Sequence, residues 1–118
     1  MDAGIQQNLY ICYMQNKDNI LKLIKTTVNK TEPGATLILY GSYARGDHGK
    51  DSDLDILVII DKAKITRQDQ KRIKYPLYDI EFETGIIISP VVLSKKDWES
   101  KHRITPFYDN ISREGKVL

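Results

Sequence analysis

The sequence predicts a small α/β fold, an α+β arrangement in which a mixed β-sheet of three or more strands is flanked by helices. Segments with apolar residues at helical spacing alternate along the chain with short runs that favour β-structure. One of these runs, residues 54–60, is apolar almost throughout. Such a run is typical of a strand covered on both faces, so we expect it at the centre of the sheet.

The chain of 118 residues has room for one compact domain. We predict a single domain over residues 1–118, with N-terminal helices in 5–29, a core in 35–93 and a helical tail in 95–114. Apolar residues recur at intervals of three and four in the N-terminal segment, and the polar interval 15–19 can divide it into two helices.

The first strand of the core is predicted at Thr36–Tyr40, where apolar and β-favouring residues follow a turn. Gly41 ends this strand, and Tyr43–Arg45 can begin a short helix. The next helix is predicted between residues 66 and 84 from apolar positions at intervals of three and four. Pro76 should kink or restart that helix.

A third strand is predicted at residues 86–93, and Pro90 places it towards an edge of the sheet because proline donates no ladder hydrogen bond. Ser94 is a favourable N-cap for a short helix over residues 95–101. A last helix is predicted at residues 106–111.

Charge and cysteine content restrict the classes of function. Basic and acidic residues number 18 and 16, a net charge of +2, so we expect neither a nucleic-acid partner nor an anionic membrane. A single cysteine, Cys12, excludes an internal disulfide and suits a reducing compartment. No apolar run of about 20 residues is present to span a bilayer, and no secretion-signal pattern is present. We expect a cytoplasmic protein.

Two carboxylates, Asp53 and Asp55, stand at the start of the predicted central strand. Side chains two residues apart in a strand point to the same face, so these two would lie together and repel. A divalent cation between them relieves the repulsion, and hard oxygen ligands of this kind suit Mg²⁺ bound together with substrate phosphates. We predict Asp53 and Asp55 as metal ligands and catalytic residues.

A second cluster of candidate residues lies at the junction of the first strand and the short helix. Glycine at position 41 permits close backbone approach, and helix-start amides favour phosphate. The Ser42 hydroxyl adds a donor and Arg45 a positive charge. Gly41, Ser42 and Arg45 are therefore predicted to bind the phosphates of a nucleoside triphosphate, whose metal the carboxylates would hold.

The string GSYARGDHGKDSDLDILV carries a family resemblance. Gly41-Ser42, ten residues, then Asp53-Leu54-Asp55 resembles the signature of the polymerase-β-type nucleotidyltransferase superfamily in its minimal, stand-alone form. The string is also similar to that of small bacterial proteins encoded beside helical HEPN-domain partners. The resemblance implies transfer of a nucleoside monophosphate, AMP from ATP, to an acceptor hydroxyl with release of pyrophosphate. It also implies Mg²⁺ as cofactor, and in some members a tyrosine of the HEPN partner as acceptor in a toxin–antitoxin pair.

The sequence departs from this family pattern at the third strand. Superfamily members that catalyse usually place a third carboxylate there, but residues 85–93 contain no acid and have Ser89 near their midpoint. Glu83 would contribute as a metal ligand only if the strand began early. Two functions therefore stay open, an adenylyltransferase acting on a partner protein and a nucleotide-binding antitoxin that neutralises its partner by contact. Association into a homodimer is also left open.

Several other polar and aromatic residues have ordinary structural interpretations. His48, in a glycine-containing loop, is expected to be exposed. The basic run over residues 62–74 is most simply a solvated face, with an acidic partner or RNA as the alternative. Trp98, Phe107 and Tyr108 are expected to pack over the sheet, with a partner surface as the alternative.

Overall fold

The computed structural model describes residues 16–118, and the helical pattern predicted before residue 16 lies outside this part of the chain. Five helices surround a four-stranded sheet in this part. The helices are α1 (Lys17–Thr31), α2 (Ser42–Arg45), α3 (Arg67–Thr84), α4 (Lys95–Glu99) and α5 (Pro106–Glu114). The strands are β1 (Thr36–Tyr40), β2 (Leu54–Ile60), β3 (Ile88–Ser94) and β4 (Lys116–Val117). The predicted mixed sheet flanked by helices is confirmed.

Strand β2 occupies an interior position in the sheet, whose order is β3-β2-β1-β4. It pairs antiparallel with β1 and parallel with β3. Its residues from Ile56 to Ile60 are all buried. The sequence prediction of a central strand covered on both faces is therefore confirmed, and β3, which contains Pro90, lies at an edge as predicted.

The larger core lies between one face of the sheet and helices α1 and α3. Both helices begin at side-chain N-caps. The Asn16 side chain accepts from the amides of Asp18 and Asn19, and Thr66 forms a reciprocal capping box with Asp69. The apolar stripes of the two helices and alternate residues of β2 form this core, which includes Ile20, Ile24, Val28, Leu54, Ile56, Val58, Ile73, Leu77 and Ile80.

A second, smaller core covers the opposite face of the sheet. Trp98 of α4 is only 8% exposed and packs with Leu57 and Ile59 of β2. Its ring centroid lies 5.9 Å from that of Phe107 and 4.6 Å from that of Tyr108. The prediction that these three aromatic residues pack over the sheet is confirmed, and the sheet is enclosed as the middle layer of three.

Several predicted boundaries differ from the structure, and α3 continues through Pro76 as one helix without the restart that the sequence allowed. Strand β3 begins at Ile88, two residues later than predicted. Helix α3 continues to Thr84, its C-cap Gly85 has φ +75°, and the chain turns there before the strand begins. Helix α4 ends at Glu99, where the prediction continued to residue 101, and α5 extends beyond the predicted residue 111 to Glu114. Strand β4 was not predicted, since two residues carry no periodic pattern.

Within residues 16–118, no helix combines the length and the apolar content needed to cross a membrane.

Candidate functional site

The two predicted carboxylates lie at the start of β2, on the sheet face that also carries the smaller core. Asp55 stands in register with Tyr40 of β1 and Ser89 of β3. Asp53 immediately precedes the strand, and its Oδ2 accepts a hydrogen bond from Ser89 Oγ at 3.3 Å. The structure therefore brings both carboxylates and the Ser89 hydroxyl together on one face, as the strand alternation predicts for the acids.

The charge of the Asp55 carboxylate is not balanced within this cluster. Burial, followed by the neighbouring charge of Asp53, raises the pKa of Asp55, and Arg45 opposes this rise. Burial and the Asp55 charge together raise the pKa of Tyr40 to about 12. Two like charges in a partly dry environment favour a bound cation, and the hard oxygen donors present fit a divalent ion such as Mg²⁺.

Gly41 brings the end of β1 into direct contact with Asp55. Its backbone has φ +74° and ψ −155°, a conformation essentially restricted to glycine. A Cβ atom added to Gly41 would lie 2.4 Å from Asp55 Oδ2, well inside contact distance. The absence of a side chain at this position is thus what allows the turn between β1 and α2 to lie against the carboxylate.

The short helix α2 presents backbone donors beside this turn. The amides of Ala44 and Arg45 both donate to the Gly41 carbonyl at 3.1 Å, which is the start of the helical hydrogen bonding. The amides of Ser42 and Tyr43 precede those bonds, at the position where a helix start favours an anion. The predicted phosphate-binding residues Gly41 and Ser42 therefore adjoin the carboxylate pair.

Arg45 is held by two acidic side chains. Its guanidinium contacts Asp47 and the α5 residue Glu114, in each case at 3.2 Å. Its charge still acts on Asp55, where it counteracts the rise in pKa. A phosphate approaching Arg45 would therefore compete with Asp47 and Glu114 for the same donors.

The loop that joins α2 to Asp53 is fixed at one point by an aromatic contact. The imidazole of His48 stacks on Tyr43, with ring centroids 4.0 Å apart and planes 7° apart. Its Nδ1 atom is buried and has no hydrogen-bond partner among residues 16–118. The expectation of a simply exposed loop histidine is wrong for this ring. An open cleft of about 490 Å³ adjoins the stack, and Tyr43, His48, Gly49, Lys50, Asp51, Gly85 and Ile86 line it.

Glu83 belongs to helix α3 and not to the strand that pairs with β2 beside the carboxylates. It is an exposed residue of α3, because that helix continues to Thr84 and β3 does not begin early. The nearby Glu81 has a structural contact, in which its Oε1 accepts from the Ile88 amide at 2.8 Å. No group of three or more His, Cys, Asp or Glu residues is placed to hold a metal in the described part of the chain. The candidate site thus has two carboxylates and one hydroxyl, with Ser89 on the strand that lacks an acid.

Two residues of the site environment are not apparent from the sequence pattern. Tyr40 was assigned only to a strand, but the antiparallel register places it opposite Asp55. Glu114 contacts Arg45 across 69 positions of sequence, and no local pattern signals such a pair. The alternation of β1 could have identified Tyr40 once the pairing of β1 with β2 was known.

The chain matches the family described as "Nucleotidyltransferase domain" over residues 21–106, a range that contains every candidate site residue. The chain therefore belongs to the nucleotidyltransferase domain family. The mixed four-stranded sheet flanked by helices agrees with this assignment.

Three proteins of Methanocaldococcus jannaschii, each named "Putative protein adenylyltransferase", are similar in sequence. The first is 38% identical over 60 residues, which are 50% of this chain and 59% of the relative. The second is 34% identical over 70% of this chain and 75% of its own length. The third is 39% identical over 70% of this chain and 56% of its own length. The alignment thus spans less than two thirds of the first and third relatives.

Two solved structures share the fold. One, described as "Structure of putative minimal nucleotidyltransferase", has a TM-score of 0.59 and 22% identity over 88% of this chain and 97% of its own. The other, described as "Crystal structure of the toxin-antitoxin with AMP-PNP", has a TM-score of 0.56 and 19% identity over 86% of this chain and 71% of its own. At these identities the likeness establishes the fold.

Proposed function

We propose that this protein transfers the AMP group of ATP to a hydroxyl of a partner protein in a Mg²⁺-dependent reaction that releases pyrophosphate. The observation that carries the proposal is the contact of Gly41 with Asp55, where an added Cβ would lie 2.4 Å from the carboxylate. This contact joins a phosphate-binding turn to a cation-binding pair, and a nucleoside triphosphate with its metal needs both. Membership of the nucleotidyltransferase domain family supports the class of reaction.

The proposed roles follow from what each group can bind. The backbone at Gly41 and the amides of Ser42 and Tyr43 would hold the phosphate tail, with the Ser42 hydroxyl as a further donor. Asp53 and Asp55 would hold Mg²⁺, which, when bound, neutralises charge on the attacking and leaving oxygens. Arg45 would contribute positive charge at the edge of the site.

Neighbouring residues would position the two carboxylates. Ser89 donates to Asp53 and so fixes one carboxylate, while the packing of Asp55 between Tyr40 and Ser89 fixes the other. Burial around Asp55 limits water there and strengthens its attraction for a cation. The acceptor hydroxyl would approach on the same sheet face, where the carboxylates are exposed or half-buried.

A partner protein as acceptor is the finer part of the proposal. It is supported by the names of the archaeal relatives, which denote adenylyl transfer to protein. It is also supported by the shared fold with a toxin–antitoxin structure described with AMP-PNP. We propose a HEPN-domain protein with an acceptor tyrosine as the partner, so that the two would form a toxin–antitoxin pair.

Transfer of labelled AMP tests the proposal directly. The full chain is incubated with ATP labelled at the α-phosphate, MgCl₂ and the product of the neighbouring gene, and label on that protein is measured. We expect transfer that EDTA abolishes and that the Asp53→Asn/Asp55→Asn variant lacks. A matched control is Asp61→Asn, which removes an exposed carboxylate just beyond the other end of β2 and should leave transfer unchanged.

Transfer that survives the double substitution would refute the assignment of the site. Label that appears with γ-labelled ATP and not with α-labelled ATP would instead indicate phosphoryl transfer. Intact-mass measurement of the modified partner distinguishes the two reactions independently, because addition of AMP and addition of phosphate differ in mass.

A second candidate function is nucleotide-dependent neutralisation of the partner by contact alone. The specific observation that favours it is Ser89, a hydroxyl at the position in register with Asp55 where the resemblance leads one to expect a third carboxylate. Two carboxylates suffice to bind a metal with nucleotide phosphates, but they provide less charge to activate an acceptor hydroxyl. Tight complex formation and inhibition of the partner, without label transfer, would establish this alternative.

A further inference from the structure

The outer edge of β3 is closed along its first half and only partly covered along its second. Because β3 is an edge strand, alternate backbone groups point away from β2 and have no strand to pair with. The Ile88 amide donates to Glu81 Oε1 at 2.8 Å, and Pro90 has no amide hydrogen to donate. The carbonyl of Val92 accepts from Gln70 Nε2 at 3.2 Å. The edge at Val92 is therefore covered by the side chain of Gln70.

The Gln70 side chain is an imperfect cover for this edge. Its Oε1 atom is buried and has no hydrogen-bond partner among residues 16–118. A buried acceptor without a partner is unfavourable, because it has given up its hydrogen bond to water. If the side chain moved into solvent, it would lose the bond to the Val92 carbonyl and Oε1 would become hydrated. A ligand that donates its own N–H to that carbonyl would therefore replace Gln70 at little net cost.

A cleft beside Val92 has room for such a ligand and carries an excess of positive charge. Its volume is about 560 Å³, within the range of about 300–1,000 Å³ that is usual for ligand sites. The charged residues that line it are three lysines and one acid, namely Lys64, Lys96, Lys101 and Asp97. Lys101 pairs with Asp97 at 3.6 Å. Lys64 and Lys96 form no ion pair with any residue in the described part of the chain.

We propose that this cleft binds an acidic peptide segment of a partner protein, which lies extended along the outer edge of β3. A peptide offers an N–H to the Val92 carbonyl and a C=O to the Val92 amide, which points to the same side of the strand. Carboxylates of the peptide would lie near Lys64 and Lys96, and an apolar side chain would contact Ile65. Because Pro90 donates no hydrogen bond, the pairing would be confined to the last residues of β3.

The lining of the cleft favours a peptide over a nucleic acid, although the lysines would attract both. Single-stranded nucleic acid gains much of its affinity by stacking on aromatic side chains, and none of the described residues that line the cleft is aromatic. The cleft lies at the end of β3, whereas Asp53 and Asp55 lie at the start of the parallel strand β2. It is thus at the opposite end of these strands from the candidate site, and the proposal does not rest on the proposed function.

Selection from a displayed library of short random peptides on the immobilised full chain provides the first test. We expect the enriched sequences to be rich in aspartate and glutamate, and their affinities are then measured by fluorescence anisotropy. Lys64→Glu/Lys96→Glu should weaken their binding about tenfold or more, because attraction becomes repulsion. The matched control is Lys22→Glu/Lys25→Glu, which makes the same change in net charge on exposed residues of α1 and should leave the affinity unchanged. Circular dichroism shows whether both variants are folded.

Gln70→Ala tests the pairing at the strand edge separately. If the Gln70 side chain competes with the peptide for the Val92 carbonyl, its removal should raise the affinity of the selected peptides several-fold. Backbone N-methylation of the same peptides removes their donors and should weaken binding to the wild type and to Gln70→Ala alike. A lower affinity for Gln70→Ala, or no effect of N-methylation, would contradict pairing at this edge.

A library that yields no acidic peptide whose binding depends on Lys64 and Lys96 would overturn the proposal. A uridine oligonucleotide that binds where no peptide does, and that Lys64→Glu/Lys96→Glu releases, would assign the cleft to nucleic acid. A dimer of the chain that dissociates in the same variant, detected by sedimentation velocity, would assign it to a second copy. Each of these two results would equally refute a partner peptide.

Discussion

Gly41 is the residue at which the candidate site tolerates the least change. It combines a backbone conformation with φ +74° and ψ −155° with direct contact to Asp55. We expect Gly41→Ala to destabilise the fold by about 1–3 kcal/mol through backbone strain. It should also abolish nucleotide binding, because the new methyl group displaces the carboxylate. Isothermal titration with a non-hydrolysable ATP analogue and Mg²⁺, together with urea unfolding, measures both effects.

Gly85 provides the control for backbone strain alone. It also has a positive φ, +75°, but no atom lies within 4 Å of a Cβ placed there. Gly85→Ala should therefore cost about 1–2 kcal/mol of stability and leave nucleotide affinity unchanged. Equal loss of affinity in the two variants would show that contact with Asp55 is not what matters at position 41.

At Asp55, unlike at Gly41, the chemistry of the site and the stability of the fold are opposed. Its pKa is raised by burial and by the Asp53 charge, so its contribution to stability is present at low pH and is lost as the pH rises through the folded-state pKa. In metal-free buffer, Asp55→Asn should therefore raise the melting temperature at about pH 7 and have little effect near about pH 3. Thermal melts across this pH range with EDTA test the sign, and a lower melting temperature at pH 7 would contradict it.

At the scale of the elements, the parallel pairing of β2 with β3 decides which residue can join the carboxylates. Ser89 is in register with Asp55 and within hydrogen-bonding distance of Asp53. We expect Ser89→Asp to lower stability without metal, because it adds a third negative charge, and to increase the affinity for Mg²⁺ about tenfold or more. If the protein catalyses transfer, the rate should also rise.

Ser89→Asn is the isosteric control for that experiment, since it adds a similar volume without charge. It should not increase the affinity for Mg²⁺, measured by titration calorimetry in the presence of the ATP analogue. Equal affinities for the Asp and Asn variants would mean that the side chain at position 89 does not reach the cation.

The start of α3 is stabilised by a buried acid. Asp69 accepts from the Thr66 amide and forms ion pairs with Lys62 and Arg72 at 2.8 and 2.9 Å. The Lys62 contact first, and then the Thr66 amide, hold the pKa of Asp69 well below its usual range. Its contribution to stability is therefore present above the unfolded-state pKa and is lost as the pH falls, the opposite sign to Asp55.

We therefore expect Asp69→Asn to destabilise the protein at about pH 7 and to matter much less near about pH 2. Urea unfolding at several pH values measures the difference. Asp79→Asn, on the exposed side of the same helix, is the control and should change stability little at either pH. An Asp69 effect that is independent of pH would contradict the ion-pair explanation.

Some strand bounds and contacts could be predicted from sequence patterns alone, and others could not. The bounds of β2 were predicted correctly because its apolar run ends at charged residues on both sides. The start of β3 was placed too early because Ile86 and Ile87 continue the apolar run, whereas α3 continues to Thr84 and the chain turns before Ile88. Gly41, Asp53 and Asp55 come together because β1 and β2 are antiparallel neighbours joined by α2 and one loop, so a single short stretch of sequence contains all three residues. The Arg45–Glu114 contact depends on the whole fold and has no local signal.

At the scale of the whole molecule, the sheet is shared by two cores, and the candidate site lies at the border of the smaller one. Phe107 of α5 contacts Tyr40 edge-on with ring centroids 5.4 Å apart, and Tyr40 stands opposite Asp55. Glu114 of the same helix contacts Arg45. The layer of α4 and α5 therefore contacts the site on two sides, at Tyr40 and at Arg45, although neither Asp53 nor Asp55 belongs to it.

Trp98 is the side chain on which this layer most depends, since it is 8% exposed and contacts both Phe107 and Tyr108. Trp98→Ala should cost about 3–5 kcal/mol, the usual result of removing a large aromatic from a core. Because the two cores share the strands of one sheet, unfolding should remain a single transition with a lower midpoint.

Ile104→Ala, which truncates a side chain that is 91% exposed, should change the free energy of unfolding by less than about 0.5 kcal/mol. Urea titrations followed by circular dichroism and by the tyrosine fluorescence of both variants provide the measurement. Two separate transitions in Trp98→Ala would show instead that the α4–α5 layer folds independently of the sheet and only rests against the site.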